Sequence, residues 1–133
     1  MSDFSFPKKE RLKQRKAIQA IFAARQSVGS YPIRLFYRLQ PRAKDDPAIL
    51  QGVSVAKRKF KKAPDRNLLK RRLREAYRLD KPNWFASLPN KNLQLQMMWV
   101  YVGNKAESLR DIQKAAEKSR LRLLQKLAQE TTF

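Results

Sequence analysis

The sequence predicts an α+β fold, one domain in which helices pack on a small sheet. Three segments carry the alternation or apolar continuity of strands, at 33–39, 49–57 and 93–102. Three more carry helical periodicity, at 8–25, 66–79 and 107–129. At 133 residues, with no repeat and no linker-like stretch, the chain suits a single domain over 1–133, with flexible ends near 1–6 and 130–133. The expected order is helix, short strand, strand, strand, helix, strand, helix, an αβββαβα sandwich.

Each element has its own warrant. Pro7 suits a first helical turn, and Lys8 to about Arg25 follows as a helix with Leu12, Ile18, Ile21 and Phe22 on its apolar side. Ser27, Gly29 and Ser30 interrupt it and leave room for a very short strand. In the next strand Ile33, Leu35, Tyr37 and Leu39 share one face, and Arg34, Phe36 and Arg38 the other. A turn over Pro41 to Pro47 leads to a strand at about Ile49 to Lys57, with Val53 and Val55 opposite Gly52, Ser54 and Ala56. After the basic connection KRKFKK, the helix from Arg66 to Leu79 buries Leu69, Leu73 and Ala76. The stretch DKPNWFASLPNKN reads as a loop or short helical turn whose Trp84 and Phe85 cap the core. Leu93 to Val102 alternates first and is then apolar throughout, as a central strand requires. Gly103-Asn104 turns the chain into a last helix, Glu107 to about Gln129, burying Leu109, Ile112, Ala116, Leu123 and Leu127.

Charge decides the class of partner. Lys and Arg number 31 against 11 Asp and Glu, a net charge of +20. Such a domain repels itself, and the usual offset is a polyanion, most commonly nucleic acid. A disordered basic tail is excluded, because 42% of the residues are hydrophobic. From Lys57 to Arg78 the basic positions are 57, 58, 59, 61, 62, 66, 70, 71, 72, 74 and 78, faced by Asp65 and Glu75 alone. A second cluster holds Lys8, Lys9, Arg11, Lys13, Arg15 and Lys16.

There is no cysteine and no histidine, which removes disulfides, thiol nucleophiles, zinc knuckles and the commonest general base. The carboxylates are scattered, and the adjacent pair Asp45-Asp46 sits in a Pro-flanked loop. No catalytic residue and no protein-bound metal or cofactor is therefore expected. The N-terminus has no apolar h-region, and no stretch approaches a membrane span. The expectation is a soluble, cytoplasmic protein with no membrane partner.

The register AxxRNxxKRxxRE carries the most information. On a helix, Arg66, Lys70, Arg74 and Arg78 recur every four residues and drift by about 40° per step. They form one cationic stripe with Asn67 and Arg71 beside it, a geometry for gripping phosphates. A solvated surface helix is the plain alternative, weakened by the scarcity of acidic partners. Glu75 reads as a brace for Arg71 or Arg72. If the strands at 33–39 and 49–57 are neighbours, Arg34, Phe36 and Arg38 flank a floor of Gly52, Ser54 and Ala56. A single strand of nucleic acid fits such a groove, bases stacking and phosphates paired. The competing reading has Phe36 covered by Phe22 as ordinary core, and the alternation allows both.

These residues resemble the protein component of bacterial ribonuclease P. The resemblance covers most of the chain: Arg11-Leu12, Ile18-x-x-x-Phe22, GVSVAKR from Gly52 to Arg58, and the signature from Ala63 to Glu75. It implies an αβββαβα sandwich with a left-handed crossover at the signature helix. It implies a protein subunit, monomeric within the ribonucleoprotein, that binds a catalytic RNA and precursor tRNA and assists removal of the 5′ leader. The chemistry, with its Mg2+, would lie in the RNA, and the protein alone would be inactive. Arg66, Asn67, Lys70, Arg71 and Arg74 match positions facing the catalytic RNA. Ile18, Phe22 and Phe36, beside Lys57 and Arg58, match the leader cleft, and Arg34 and Arg38 flank Phe36 there.

Two departures stand out. The family often has an aromatic where this chain has Ile18. Its loop usually reads KKxGxAV, whereas Lys57 to Pro64 is one residue longer and lacks the glycine, leaving the roles of Lys59, Lys61 and Lys62 open. The main rival is a small ribosomal or other structural RNA-binding protein, which composition alone would favour. A DNA-binding module lacks a helix–turn–helix or dimer seam here, and a protein-only nuclease lacks clustered carboxylates.

Overall fold

The computed structural model of the protein describes residues 11–12, 14–88 and 92–130. The expected flexible end at 1–6 and all but residue 130 of the one at 130–133 lie outside those residues, as do Lys8, Lys9 and Lys13 of the N-terminal cluster. Residue 130 closes the last helix. The elements are α1 (Arg15–Ala23), β1 (Ser27–Ser30), β2 (Ile33–Pro41), β3 (Ile49–Val55), α2 (Ala63–Ser87), β4 (Leu93–Tyr101) and α3 (Leu109–Glu130). Element types and order are those the periodicities predict.

The four strands lie in the order β1-β2-β4-β3. β2 runs antiparallel to both β1 and β4, while β3 is parallel to β4, with α2 as the crossover between them. One face of the sheet carries Ile33, Leu35, Tyr37, Ile49, Leu95, Met97, Trp99 and Tyr101, all sealed against α2 and α3. Trp99 anchors this core, its ring 6.0 Å from that of Trp84 and 6.5 Å from that of Tyr77. The other face carries α1 over a much smaller cluster of Leu12, Ile21 and Met98.

Three expectations are corrected. β2 and β3 are not neighbours, because β4 lies between them. Alternation reports which face a residue takes, and says nothing about which strand pairs with it. The first helix is shorter than expected, since Arg11 forms a parallel bridge to Gln51 and the Leu12 N–H donates to the Gln51 carbonyl at 2.9 Å. β3 is an edge strand whose outward backbone groups need partners, and this extended segment supplies them. Leu12 is still buried, as predicted, but from a strand-like position.

The third correction is at Pro82. α2 continues through it to Ser87, absorbing most of the segment read as a loop. Proline removes one helical hydrogen bond, so continuation needs outside support. Fully buried Trp84 supplies it beyond the proline, together with the Arg120–Asp80 ion pair at 2.8 Å just before it. The Ser87 hydroxyl donates to the Asn83 carbonyl at 2.7 Å in the last turn. Phe85 remains partly exposed, under the ammonium of Lys81 at 5.5 Å.

Candidate nucleic-acid interface

The signature helix buries one side and shows the other. Leu69, Leu73, Ala76 and Tyr77 are all at most 2% exposed. Asn67, Arg71 and Arg74 lie on the outward side, with Arg66 and Lys70 half-buried beside them. Among the described residues Lys70, Arg71 and Arg74 show no hydrogen bond or ion pair, so their charge faces outward uncompensated. Arg66 differs, because its Nη1 donates to the carbonyls of Phe60 at 2.8 Å and Lys61 at 3.0 Å. It therefore clamps the KRKFKK loop against the first turn of α2, where the N-cap residue Lys62 makes no side-chain cap.

Glu75 braces Arg78 and neither Arg71 nor Arg72. Its two carboxylate oxygens accept from Arg78 Nη2 at 2.5 Å and Nε at 3.0 Å. That hydrogen bond holds the carboxyl below its ordinary pKa of 4.5. Arg72 instead donates to the Glu107 carbonyl at 2.5 Å and ties α2 to the approach of α3. Lys59 is also structural, donating to the Val102 carbonyl at 2.8 Å. Lys57, Arg58, Lys61 and Lys62 are exposed.

On the α1 face a cleft of about 200 Å³ is lined by Leu12, Ile18, Gly52, Met98 and Arg74, among others. Arg74 thus belongs to two places at once, closing the stripe and walling the cleft. Gly52 keeps the floor low, since a Cβ there would stand 2.8 Å from Met98 Sδ. The expected floor of Gly52, Ser54 and Ala56 does not adjoin β2. Met98 separates Gly52 from Phe36, Gln96 separates Leu50 from Arg38, and Val100 separates Ser54 from Arg34.

Phe36 is half-buried and meets Phe22 edge-on at 5.0 Å, the packing anticipated by the core reading, while Phe22 stays 37% exposed. Arg34 and Arg38 flank it with fixed guanidinium groups. Arg34 Nε donates to Ser27 Oγ at 3.0 Å, and Arg38 Nε to Gln96 Oε1 at 2.6 Å. The sequence reading brings Ile18, Phe22, Arg34, Phe36 and Arg38 to one face, as placed here. It missed Met98 and the buried amides of Gln94 and Gln96. The alternation LQLQ at the start of β4 was the available signal, because it puts both glutamines on the α1 face.

Among the described residues no group of three His, Cys, Asp or Glu could hold a metal ion. No described helix is long and apolar enough to cross a membrane.

Known proteins resemble this chain in sequence and in fold. The Ribonuclease P family model matches residues 6–128. The chain is 34% identical over 122 residues to the ribonuclease P protein component of Porphyromonas gingivalis, covering 90% of this chain and 87% of that one. It is 30% identical over 108 residues to that of Chlorobium phaeobacteroides, covering 76% and 74%. The Staphylococcus aureus RNase P protein structure superposes with a TM-score of 0.64, at 22% identity, over 86% of this chain and 94% of that one. The chain therefore belongs to the ribonuclease P protein component family, and it is the protein subunit of the endoribonuclease that matures tRNA 5′ ends, partnered by the ribonuclease P RNA.

Proposed function

We propose that two joined surfaces divide the work of this subunit. Arg66, Asn67, Lys70, Arg71 and Arg74 bind the catalytic RNA by charge-assisted hydrogen bonds to phosphates, with Asn67 able to donate and accept. Ile18, Phe22, Arg34, Phe36, Arg38, Lys57 and Arg58 hold the 5′ leader of precursor tRNA, bases against the rings and phosphates against the cations. The observation that carries this reading is Arg74, which lies at once on the uncompensated α2 stripe and in the wall of the α1 cleft. Ile18 lines the same cleft, so a leader lying on the α1 face is held beside the RNA docked on α2. Arg66 serves the interface partly by fixing the loop that carries Lys61 and Lys62.

In this reading the bond-breaking chemistry and its Mg2+ belong to the RNA, and the protein works as a cytoplasmic monomer within the ribonucleoprotein. The test is cleavage of a 5′-labelled precursor tRNA at low magnesium by a bacterial ribonuclease P RNA, by this protein, and by both. Cleavage at the mature 5′ end is expected in the mixture alone. No stimulation of an RNA active at high magnesium would overturn the assignment. Stable co-sedimentation with ribosomal subunits would then favour the structural RNA-binding alternative.

A further inference from the structure

A second cavity, of about 410 Å³, opens where α1 ends, beside the outer half of β2. Ala20, Ala24 and Leu127 give it apolar walls, and Gln26, Arg38 and Gln40 bring polar groups to it. Its size falls within the roughly 300–1,000 Å³ of small-ligand sites, and apolar walls with a few convergent polar groups are their usual make-up. Tyr37 and Leu39 also line it, and Arg38 stands two residues from Phe36 on the same face of β2, so one wall of the cavity adjoins the proposed leader surface.

Arg38 is held there by a chain of amides. Its Nε donates to Gln96 Oε1 at 2.6 Å, Gln96 Nε2 donates to Gln94 Oε1 at 2.9 Å, and Gln94 Nε2 donates to the Pro47 carbonyl at 2.9 Å. Both glutamines are buried. The order this relay imposes is established on folding, so little of it has to be imposed on binding. With Nε committed, the donors left to a ligand are the two terminal nitrogens, a planar fork. Gln40 offers less, because its Nε2 is turned to the Leu39 carbonyl at 2.9 Å.

We propose that this cavity takes an unpaired guanine of the precursor-tRNA leader, read by Arg38 at O6 and N7 and positioned by Gln96. Guanine presents two adjacent acceptors on that edge, which the fork satisfies together. On that edge adenine puts an amino group where O6 would be and cytosine presents its amino group, so both set a donor against an arginine donor, and uracil offers O4 alone. An unpaired cytosine has its adjacent acceptors, O2 and N3, on the Watson–Crick edge, so equal binding of cytosine would overturn the reading at O6 and N7. The inference rests on the leader reading above.

The test uses the reconstituted holoenzyme and precursor tRNAs whose otherwise uridine leader carries one guanine, moved position by position. At one position guanine should bind about tenfold tighter than adenine or cytosine. 7-Deazaguanine, which lacks N7, should lose most of that gain without any change in the protein. Arg38→Ala should abolish the preference. Gln96→Leu should weaken it, and Gln96→Glu, which keeps the acceptor for Arg38 but loses the donor to Gln94, should weaken it less. Indifference to guanine at every position would overturn the inference, as would an Arg38→Ala loss equal for all leaders with 7-deazaguanine silent. In either case a surviving Phe36→Ala effect on leader affinity leaves the leader reading standing. Equal binding of leaderless and leader-bearing substrates would remove that reading itself, and this inference with it.

Discussion

The two faces of β2 are built from alternate residues of one nine-residue strand, yet they serve opposite ends. Ile33, Leu35 and Tyr37 are at most 2% exposed beneath two helices of 25 and 22 residues. Arg34, Phe36 and Arg38 stay partly open beside a helix of nine. A long amphipathic helix covers its half of the sheet and excludes water, so that face supplies most of the burial that stabilises the fold. A short helix leaves gaps at both its flanks. Those gaps are the two cavities, and beside the larger one Arg38 is held in place by Gln96. On the proposed function, stability and binding are separated by face, and the open side keeps cations that a core would not tolerate.

The largest expected effect tests that separation. Trp99→Ala should cost about 3–5 kcal/mol in urea unfolding, because it empties the centre of the sealed face. Phe36→Ala, on the open face, should cost clearly less. Equal losses would mean that stability is not divided by face.

Replacing Arg66, Lys70 and Arg74 together by Ala should weaken binding to the ribonuclease P RNA. It should also flatten the log–log salt slope by about 2–3, near 0.9 per phosphate. An unchanged slope, with holoenzyme activity at low magnesium intact, would move the RNA contact off α2. On the open face, Phe36→Ala should reduce affinity for leader-bearing over leaderless precursor by about 1–3 kcal/mol, the range for one stacked base. Equilibrium binding of the two substrates decides it.

Two smaller effects concern titration. The Tyr101 hydroxyl donates to the Lys105 carbonyl at 2.6 Å and accepts from the Glu107 N–H at 2.8 Å. Burial raises its pKa above 10.0. Folding therefore favours the neutral phenol, a contribution present below pH 10 and lost as pH rises from there through the raised folded value. Tyr101→Phe should show a shallower alkaline fall in stability than the parent protein. Glu75 has the opposite sign, its lowered pKa contributing above about 4.5 and fading as pH falls through the folded value. Glu75→Gln should slightly flatten the acid limb. It should also release Arg78 toward the stripe, steepening the salt dependence of RNA binding by at most about 0.9. No steepening would show that Arg78 does not reach the RNA.

Much of this protein was legible from the chain alone, for a physical reason. Helical and strand periodicities are local, so Leu69, Leu73 and Ala76 could be separated from Arg71 and Arg74, and Ile33 and Leu35 from Arg34 and Phe36. Net charge and the scarcity of carboxylates are sums over the chain, and they pointed to a polyanion without any coordinates. Element order and the signature register also needed no tertiary information.

What the sequence did not determine depends on partners distant along the chain. β4 enters between β2 and β3 because parallel pairing with β3 is made through a 25-residue helix, which alternation does not encode. α2 passes Pro82 because Trp84 and Arg120 hold it, overriding local propensity. Arg11 and Leu12 leave the helix to satisfy the edge of β3. Glu75 pairs with Arg78 through a rotamer choice that spacing does not settle. The fork of Arg38 is fixed by Gln96, 58 residues away in sequence, and only the folded sheet brings them together.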